Sequence, residues 1–482
     1  MRCATCTCSH PRINGDGPRP CSIMLIGEAP GREENAGGRP FIGQSGRELN
    51  DHYLKLAGLT RSDVYLTNTV KCHLDGNRTP RPEEVAACAE SFLHDELRLV
   101  NPSLVILMGA TACSLVAGEG ISLETHHGLK FNGEVLGHRC QYVPMYHPAA
   151  GLHDTAKMIP LIEDWKGVVE RPLHRTSAMP DYRITEVDNL AELTKMHYQL
   201  LGRKCSLDTE TVQDSLWSMQ VGFDDGGGSY RVYVYRVPWF YVPWRGMTVQ
   251  EEFRMSNYSD KYESNNYYPP PVDFTHQVSN AALMVVMHNA LADMRVWNDA
   301  ESGVGVNTRF IIADTMQMAY NLGLPQKLKV LAYRICGLHM TSYEDLVSPW
   351  SLNALEEWLD SAIQYTDQEL STTTIKQLKT KSKLITKPAP VLSDLKRIKR
   401  NLNSPTYDPF EKAEELSLKH PDHAARIFDH CGMNPVAGIH NVPWPLARKY
   451  AADDAVATLM VHDEMARMSG SRNLIHKIDK DK

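Results

Sequence analysis

Three short apolar runs in the first third of the chain limit its fold more than any other feature. Ser22-Ile23-Met24-Leu25-Ile26 stops at Gly27, Val64-Tyr65-Leu66 stops at Thr67-Asn68, and Leu104-Val105-Ile106-Leu107-Met108 stops at Gly109. Runs this short and this apolar suit strands buried on both faces of a parallel sheet. Their glycine or polar ends fall where the loops of such a sheet build a site. Between the runs, Gly46 to Ala57 and Pro82 to Leu99 carry helical spacing. Residues 22–168 therefore predict an α/β layered domain.

With 482 residues, the chain is too long for one ordinary core. The reading expects residues 1–169 as a first domain, a linker over 170–182, and a second α/β domain over 183–482. That domain opens with a helix at 187–201 and a strand at Lys204 to Asp208. Two stretches are read as insertions in it: about 224–280, rich in Gly, Tyr, Pro and Asn with an alternating strand at Tyr230 to Tyr235, and about 341–445, mixed helical and basic. A formal charge of -7 argues against a protein that coats DNA by bulk charge, but it leaves room for a local basic groove. No apolar run approaches the roughly 18 residues of a membrane span. Met1-Arg2-Cys3-Ala4-Thr5-Cys6 lacks the apolar stretch of a signal peptide, so a cytosolic location is expected. Eleven cysteines, an odd count, make a disulfide framework unexpected in such a compartment.

The strand ends collect chemistry. Gly27-Glu28-Ala29-Pro30-Gly31 can turn sharply and approach a ligand closely. Gly38-Arg39-Pro40-Phe41-Ile42-Gly43 follows, Asn68 ends the next strand, and Tyr146-His147-Pro148-Ala149-Ala150 ends another. An aromatic to stack on a base and an amide that both donates and accepts suit a flipped pyrimidine, because the amide can match the O4 and N3–H edge of uracil. Together with Thr67-Asn68-Thr69-Val70-Lys71-Cys72 and Asn77-Arg78-Thr79-Pro80, these pieces make residues 3–168 resemble a family 4 uracil-DNA glycosylase, the iron–sulfur type. The resemblance implies that Phe41 stacks on uracil beside Gly27, that Asn68 reads its edge, and that His147 stabilises the charge developing on O2. Glu28 and Glu34 are the acids that orient water or exclude thymine, with the division between them open. The same resemblance implies a [4Fe–4S] cluster on Cys3, Cys6, Cys72 and Cys88. By spacing alone, Cys₄ also suits zinc, and Cys8 is an alternative to Cys6. Cys21, Cys113, Cys140, Cys205, Cys336 and Cys431 read as ordinary buried cysteines.

A second set of acids follows. Asp208-Thr209-Glu210 ends a strand, whose two-residue period sends both carboxylates to one face. Asp293 closes His288-Asn289-Ala290-Leu291-Ala292-Asp293, and Tyr450 and Asp454 stand four apart on one helical face. Asp453, one residue along, points about 100° away. Four carboxylates can hold two divalent cations for phosphodiester cleavage, with Tyr450 orienting water. The set resembles the DEDD exonucleases, in the tyrosine subtype found beside family A DNA polymerases. Ala313-Asp314-Thr315-Met316 and Leu328-Lys329-Val330-Leu331-Ala332 extend the likeness. The resemblance implies a three-layer α/β/α glycosylase fold followed by a ribonuclease H-like exonuclease fold with insertions. It also implies two Mg²⁺ or Mn²⁺ at Asp208, Glu210, Asp293 and Asp454.

Val461-His462-Asp463-Glu464 resembles a polymerase palm motif, but it reads more simply as the continuation of the helix carrying Tyr450. Lys376 to Arg400 holds nine Lys/Arg against one Asp, either a solvated face or a phosphate-contacting surface. The expected function is bifunctional: uracil excision joined to 3′→5′ trimming of DNA. The substrate would be single strands or 3′ ends, some containing uracil, with the polymerase on a separate chain. The resemblance extends to bacteriophage polymerases with a glycosylase-like domain ahead of the exonuclease, which would place the protein in host cytoplasm. The alternative is a uracil-sensing or DNA-docking subunit with exonuclease activity only.

Overall fold

The apolar runs form strands because nothing in them needs water. In the computed structural model, β1 (Ile23–Gly27), β2 (Tyr65–Asn68) and β3 (Leu104–Met108) are buried along their whole length. The structure describes residues 10–116, 120–212, 215–237, 241–242, 247–248, 271–298, 311–380, 389–404, 406–420, 423–424, 426–427 and 437–471. The chain divides into two units, Met1–Ser177 and Ala178–Lys482.

In the first unit, β4 (Phe131–Val135) and β5 (His138–Met145) complete a five-stranded sheet of order β2-β1-β3-β5-β4. All neighbours run parallel except β4, which is antiparallel to β5. Alternate residues serve opposite faces. Ile23, Leu25 and Ile106 pack with Leu49, Tyr53 and Trp165, while Met24, Ile26 and Val105 pack with Leu93, Leu97 and Val100. A sheet buried on both faces is the expected α/β/α layering. Trp165 is fully buried, and truncating it to Ala would cost about 3–5 kcal/mol. The register sets Gly27 level with Asn68, and Met108 level with Met145, just before His147. The strands therefore deliver their C-terminal ends to one edge. Four helices frame that edge: α1 (Arg32–Gly37), α2 (Gln44–Glu48), α3 (Pro82–Cys88) and α4 (Pro148–His153).

The second unit holds a six-stranded sheet. It comprises β6 (Tyr182–Glu186), β7 (Lys204–Val212), β8 (Ser215–Gly226), β9 (Ser229–Arg236), β10 (Met284–Met287) and β11 (Ile311–Asp314), in the order β11-β10-β7-β8-β9-β6. Strands β7, β8 and β9 form an antiparallel meander, and β10 and β11 lie parallel beside β7. A meander with two parallel strands added on its first strand is the ribonuclease H-like arrangement the sequence leads one to expect. Edge strand β6, paired with β9, was not expected; it is only partly buried and so lacks the uniformly apolar signal. One boundary needs correction. Residues 224–236 were grouped with an insertion, but Gly226, Gly227 and Gly228, all at positive φ, form the tight turn of the β8–β9 hairpin within the sheet. The glycines mark a turn rather than the start of an insert.

Helices α5 (Leu190–Leu200) and α6 (Pro271–Ala281) cover the face carrying Leu207, Tyr233 and Tyr235. Further along come α7 (Ala290–Asn298), α8 (Thr315–Leu322) and α9 (Leu328–Leu331). Next, α10 (Tyr343–Thr380), α11 (Ala389–Arg400) and α12 (Pro409–Lys419) share a core of Leu355, Trp358, Leu395, Ile398 and Leu416. Three of the four basic side chains of α11 are engaged with acids, Lys396 with Asp367, Lys399 with Asp360 and Arg397 with Asp394, while Arg400 donates to the Lys396 carbonyl. Residues 381–388 of the basic run lie outside the described residues. Last, α13 (Trp444–Ser471) lays Ala452, Ala455 and Val456 on the sheet face bearing Val232 and Val234. His462, Asp463 and Glu464 continue this helix, and Asp463 pairs with Lys204 of β7. Among the described residues, no helix is long and apolar enough to cross a membrane.

Candidate active sites

In the first unit, a cavity of about 830 Å³ opens at the strand ends, lined among others by Glu28, Glu34, Phe41, Asn68 and His147. Its shape depends on one loop. Phe41 adopts φ 55°, a left-handed conformation that costs a non-glycine residue on the order of 1–3 kcal/mol. The surroundings hold it there. Glu34 is buried and accepts the backbone N–H groups of Ile42 at 3.1 Å and Gly43 at 2.8 Å. Arg61 donates to the carbonyl of Pro40 at 2.8 Å, and Asn50 to that of Phe41 at 3.3 Å. A Cβ on Gly46 would lie 2.2 Å from the Phe41 backbone, and one on Gly27 would lie 2.6 Å from both the Phe41 ring and the Asn68 carbonyl oxygen. Both positions admit only glycine without a shift.

Asn68 is 5% exposed, yet its side chain makes no hydrogen bond within the protein among the described residues. His147 precedes α4, where its Nδ1 accepts the Ala149 N–H at 3.2 Å, which leaves the proton on Nε2. Burial holds its pKa down at about 4, against the opposing pull of Glu34, so the imidazole is neutral near pH 7. Its ring lies 6.2 Å from that of Phe41, with 29° between the planes. The two acids are not alike. Glu34 is occupied by the loop, whereas Glu28 takes one hydrogen bond from Thr111 at 2.6 Å on Oε2 and lines the cavity. Asn77 and His153 also line it and were not chosen from sequence. Asn77 lay within a quoted motif, and His153 carries no local signal.

Cys88 ends α3, buried against Val70 and Leu74, which stand two residues before and two after Cys72. Neither Cys72 nor Cys88 is in a disulfide. Cys3 and Cys6 lie outside the described residues. Burial pushes the thiols of Cys113, Cys205 and Cys336 up to about 12 and that of Cys140 to about 11, as suits inert cysteines.

In the second unit, Asp208, Glu210 and Asp454 bring one carboxylate oxygen each to within 4.8 Å of one another. Period-two alternation on β7 and one turn of α13 achieve this. Asp293 is not in that group; it accepts a hydrogen bond from Thr209, the residue between the two β7 acids. Burial raises the pKa of all four carboxyls. At Asp208 the charges of Asp293 and Asp454 add to it, at Glu210 that of Asp208, and Asp293 is pushed to about 7. Four acids in this state favour a bound cation. Tyr450 donates to Asp454, and burial together with the acids raises its pKa, so the hydroxyl keeps its proton. Asp453 turns away, accepting from Tyr182 at 2.5 Å and Lys449 at 2.7 Å. Lys329, which the sequence offers only within the Leu328 to Ala332 likeness and without a site role, donates to both oxygens of Asp454 at 2.9 and 3.2 Å.

Residues 15–166 match the Uracil DNA glycosylase superfamily. A type-4 uracil-DNA glycosylase of Thermotoga maritima is 38% identical over 152 residues, covering 31% of this chain and 77% of that protein. Those of Archaeoglobus fulgidus and Saccharolobus solfataricus are 34% and 33% identical, covering 32% and 33% of this chain and 79% and 74% of theirs. Among solved structures, the catalytic core of RRP6 from Trypanosoma brucei matches with TM-score 0.28 and 14% identity, over 72% of this chain and 63% of that one. The EXO domain of Aedes aegypti Nibbler matches with TM-score 0.24 and 11% identity, over 60% and 90%. Scores this low carry no argument about the second unit.

Proposed function

The chain belongs to the type-4 uracil-DNA glycosylase family through residues 15–166, and on that premise we propose that it excises uracil from DNA and, at a separate site, hydrolyses DNA from 3′ ends. The observation that carries the first activity is the unpartnered amide of Asn68 beside Phe41 and a neutral His147 in one cavity. A flipped uracil stacks on Phe41, and the Asn68 amide meets O4 and N3–H. As the N1–C1′ bond breaks, its electron pair passes to the base. The His147 Nε2–H then donates to O2 without giving up its proton, because the imidazolium form is too costly to reach. Glu28 is the acid free to hold the attacking water, while Glu34 serves by fixing the Phe41 loop. Thiolates of Cys72 and Cys88, with Cys3 and Cys6, are the proposed ligands of a [4Fe–4S] cluster. The two described cysteines fit in being disulfide-free, with Cys88 packed against Val70 and Leu74, which stand two residues before and two after Cys72.

The second activity rests on the convergence of Asp208, Glu210 and Asp454 beside Tyr450. These acids and Asp293 would hold two divalent cations, which supply charge neutralisation and an activated water when bound. The protonated Tyr450 hydroxyl orients that water. A 3′ terminus is what a DNA polymerase leaves, so a polymerase on another chain is the partner this reading implies.

The test is an assay of purified protein on uracil-containing single and double strands, with Mg²⁺ or with EDTA. Alkali-labile sites formed in EDTA and shortened strands formed only with Mg²⁺ are the expected pair. Intact uracil strands after alkali would make the first unit a sensor.

A further inference from the structure

Glu28, the acid proposed to hold the attacking water, has a single side-chain partner. Its Oε2 accepts from the Thr111 hydroxyl at 2.6 Å, a separation typical of an O–H donor on a carboxylate. Its Oε1 meets no donor among the described residues, and the side chain lines the cavity. Thr111 does not line that cavity itself. It stands in the short helix Ala110–Cys113, which begins directly after Gly109 at the end of β3. Gly109 turns the chain at φ 95°, and its N–H donates to the Met145 carbonyl at 2.9 Å, on the strand that leads to His147. Ala112 and Cys113 are buried, and the Thr111 carbonyl accepts from the Ser114 hydroxyl at 2.7 Å, so the residue is fixed in place. A threonine in the first turn of a helix ordinarily spends its hydroxyl on nearby backbone. This hydroxyl instead reaches a carboxylate 83 positions away and has no other partner among the described residues. Glu28 is also held at its backbone, where its carbonyl accepts the Val70 N–H at 2.9 Å. With the backbone and one oxygen fixed, the torsions between them are set, and so is the position of the free oxygen.

We propose that Thr111 is the positioning residue of Glu28: its hydroxyl holds Oε2 so that Oε1 is presented to the water that attacks C1′. The inference deepens the glycosylase reading of this site and rests on it. In the step it serves, the N1–C1′ bond breaks with its electron pair passing to the base, and the water oxygen bonds to C1′. The water proton passes to Oε1 and from there to solvent, and the released uracil anion takes a proton from solvent. Thr111 keeps its own proton throughout. A carboxylate freed from Thr111 gains rotamers, and fewer of them aim an oxygen at the water. Stacking of the base is untouched, because the Phe41 loop hangs on Glu34, Arg61 and Asn50 instead.

The full chain is tested as Thr111→Val, Thr111→Ala, Thr111→Ser, Glu28→Ala and the double variant Glu28→Ala with Thr111→Val. The probe is a uracil-containing single strand in EDTA. Thr111→Val keeps the shape and removes the donor. It is expected to lower kcat roughly 10- to 10²-fold with KM within about twofold of wild type, the pattern of a group that matters only in the transition state. Thr111→Ala, should the valine fail to fold, is expected to give the same split, and Thr111→Ser should recover most of the rate. In the Glu28→Ala background, Thr111→Val should bring no further loss, because residues that act as one unit are not additive. The proposal is overturned, with wild-type excision intact, by any of three results: a wild-type kcat in Thr111→Val and Thr111→Ala, a Thr111→Ser as slow as Thr111→Val, or a further loss in the Glu28→Ala background. Wild-type protein that releases no uracil would overturn the glycosylase reading and the proposal together.

Discussion

His147 illustrates how one residue's surroundings choose its chemistry. An imidazole accepting at Nδ1 and withdrawn from water can donate at Nε2 but resists a second proton, even with Glu34 nearby. Two outcomes follow. His147→Ala should slow uracil release roughly 10²-fold, the usual cost of losing a donor aimed at developing negative charge. The wild-type rate should stay level as pH falls from 7 to about 5 and drop only as His147 approaches its pKa of about 4. Stability follows the same asymmetry. Below the unfolded value of about 6.5, the unfolded chain takes up a proton that the native chain refuses, so stability is lost as pH falls from there toward 4. Thermal melts of wild type and His147→Gln across this range check the sign, and a steeper slope in the variant would contradict it. Gly27 is the other decisive position. A methyl there would press on the Phe41 ring and the Asn68 amide at once. Gly27→Ala should raise KM for uracil-DNA with little change in melting temperature, and an unchanged KM would show that the two side chains shift freely.

At the scale of elements, the legible features were those set by local period. Alternation along β7 puts Asp208 and Glu210 on one face, and a single helical turn joins Tyr450 to Asp454. The same period excludes Asp453, which meets Tyr182 and Lys449 instead. Asp208→Ala and Asp454→Ala should therefore abolish DNA shortening. Asp453→Ala should keep it while losing about 1 kcal/mol of stability from its hydrogen bonds. A dead Asp453→Ala beside an active Asp454→Ala would mean that the helix is read in the wrong phase. What the sequence hid was non-local or weakly patterned. Lys329 reaches Asp454 across 125 positions. The occupation of Glu34 depends on backbone N–H groups, which every residue but proline carries and no motif displays. Strand β6 is an edge strand without a continuous apolar run, and the glycines of the β8–β9 turn look from sequence like the start of an insertion.

At the scale of the whole molecule, the two sites ask opposite things of their surroundings, and this makes them separable. In the proposed reaction the cavity of the first unit would meet a leaving anion with neutral donors, so excision should need no cation and should tolerate acid until His147 titrates. The second gathers carboxyls whose pKa values burial and mutual repulsion have raised, Asp293 to about 7, so protons and divalent cations compete for the same oxygens. As pH falls through 7, more Mg²⁺ should be needed to reach half the maximal rate of DNA shortening, while uracil release continues unchanged. At about pH 5.5 and low Mg²⁺, one preparation should excise uracil and leave strand lengths intact. Raising Mg²⁺ should restore shortening, and EDTA should remove it at every pH without affecting excision. Asp208→Ala should reproduce the EDTA result with Mg²⁺ present, and His147→Ala should give its mirror image. If both activities fell together in either variant, or if excision followed the Mg²⁺ concentration, the two chemistries would share a site and the division proposed here would be wrong.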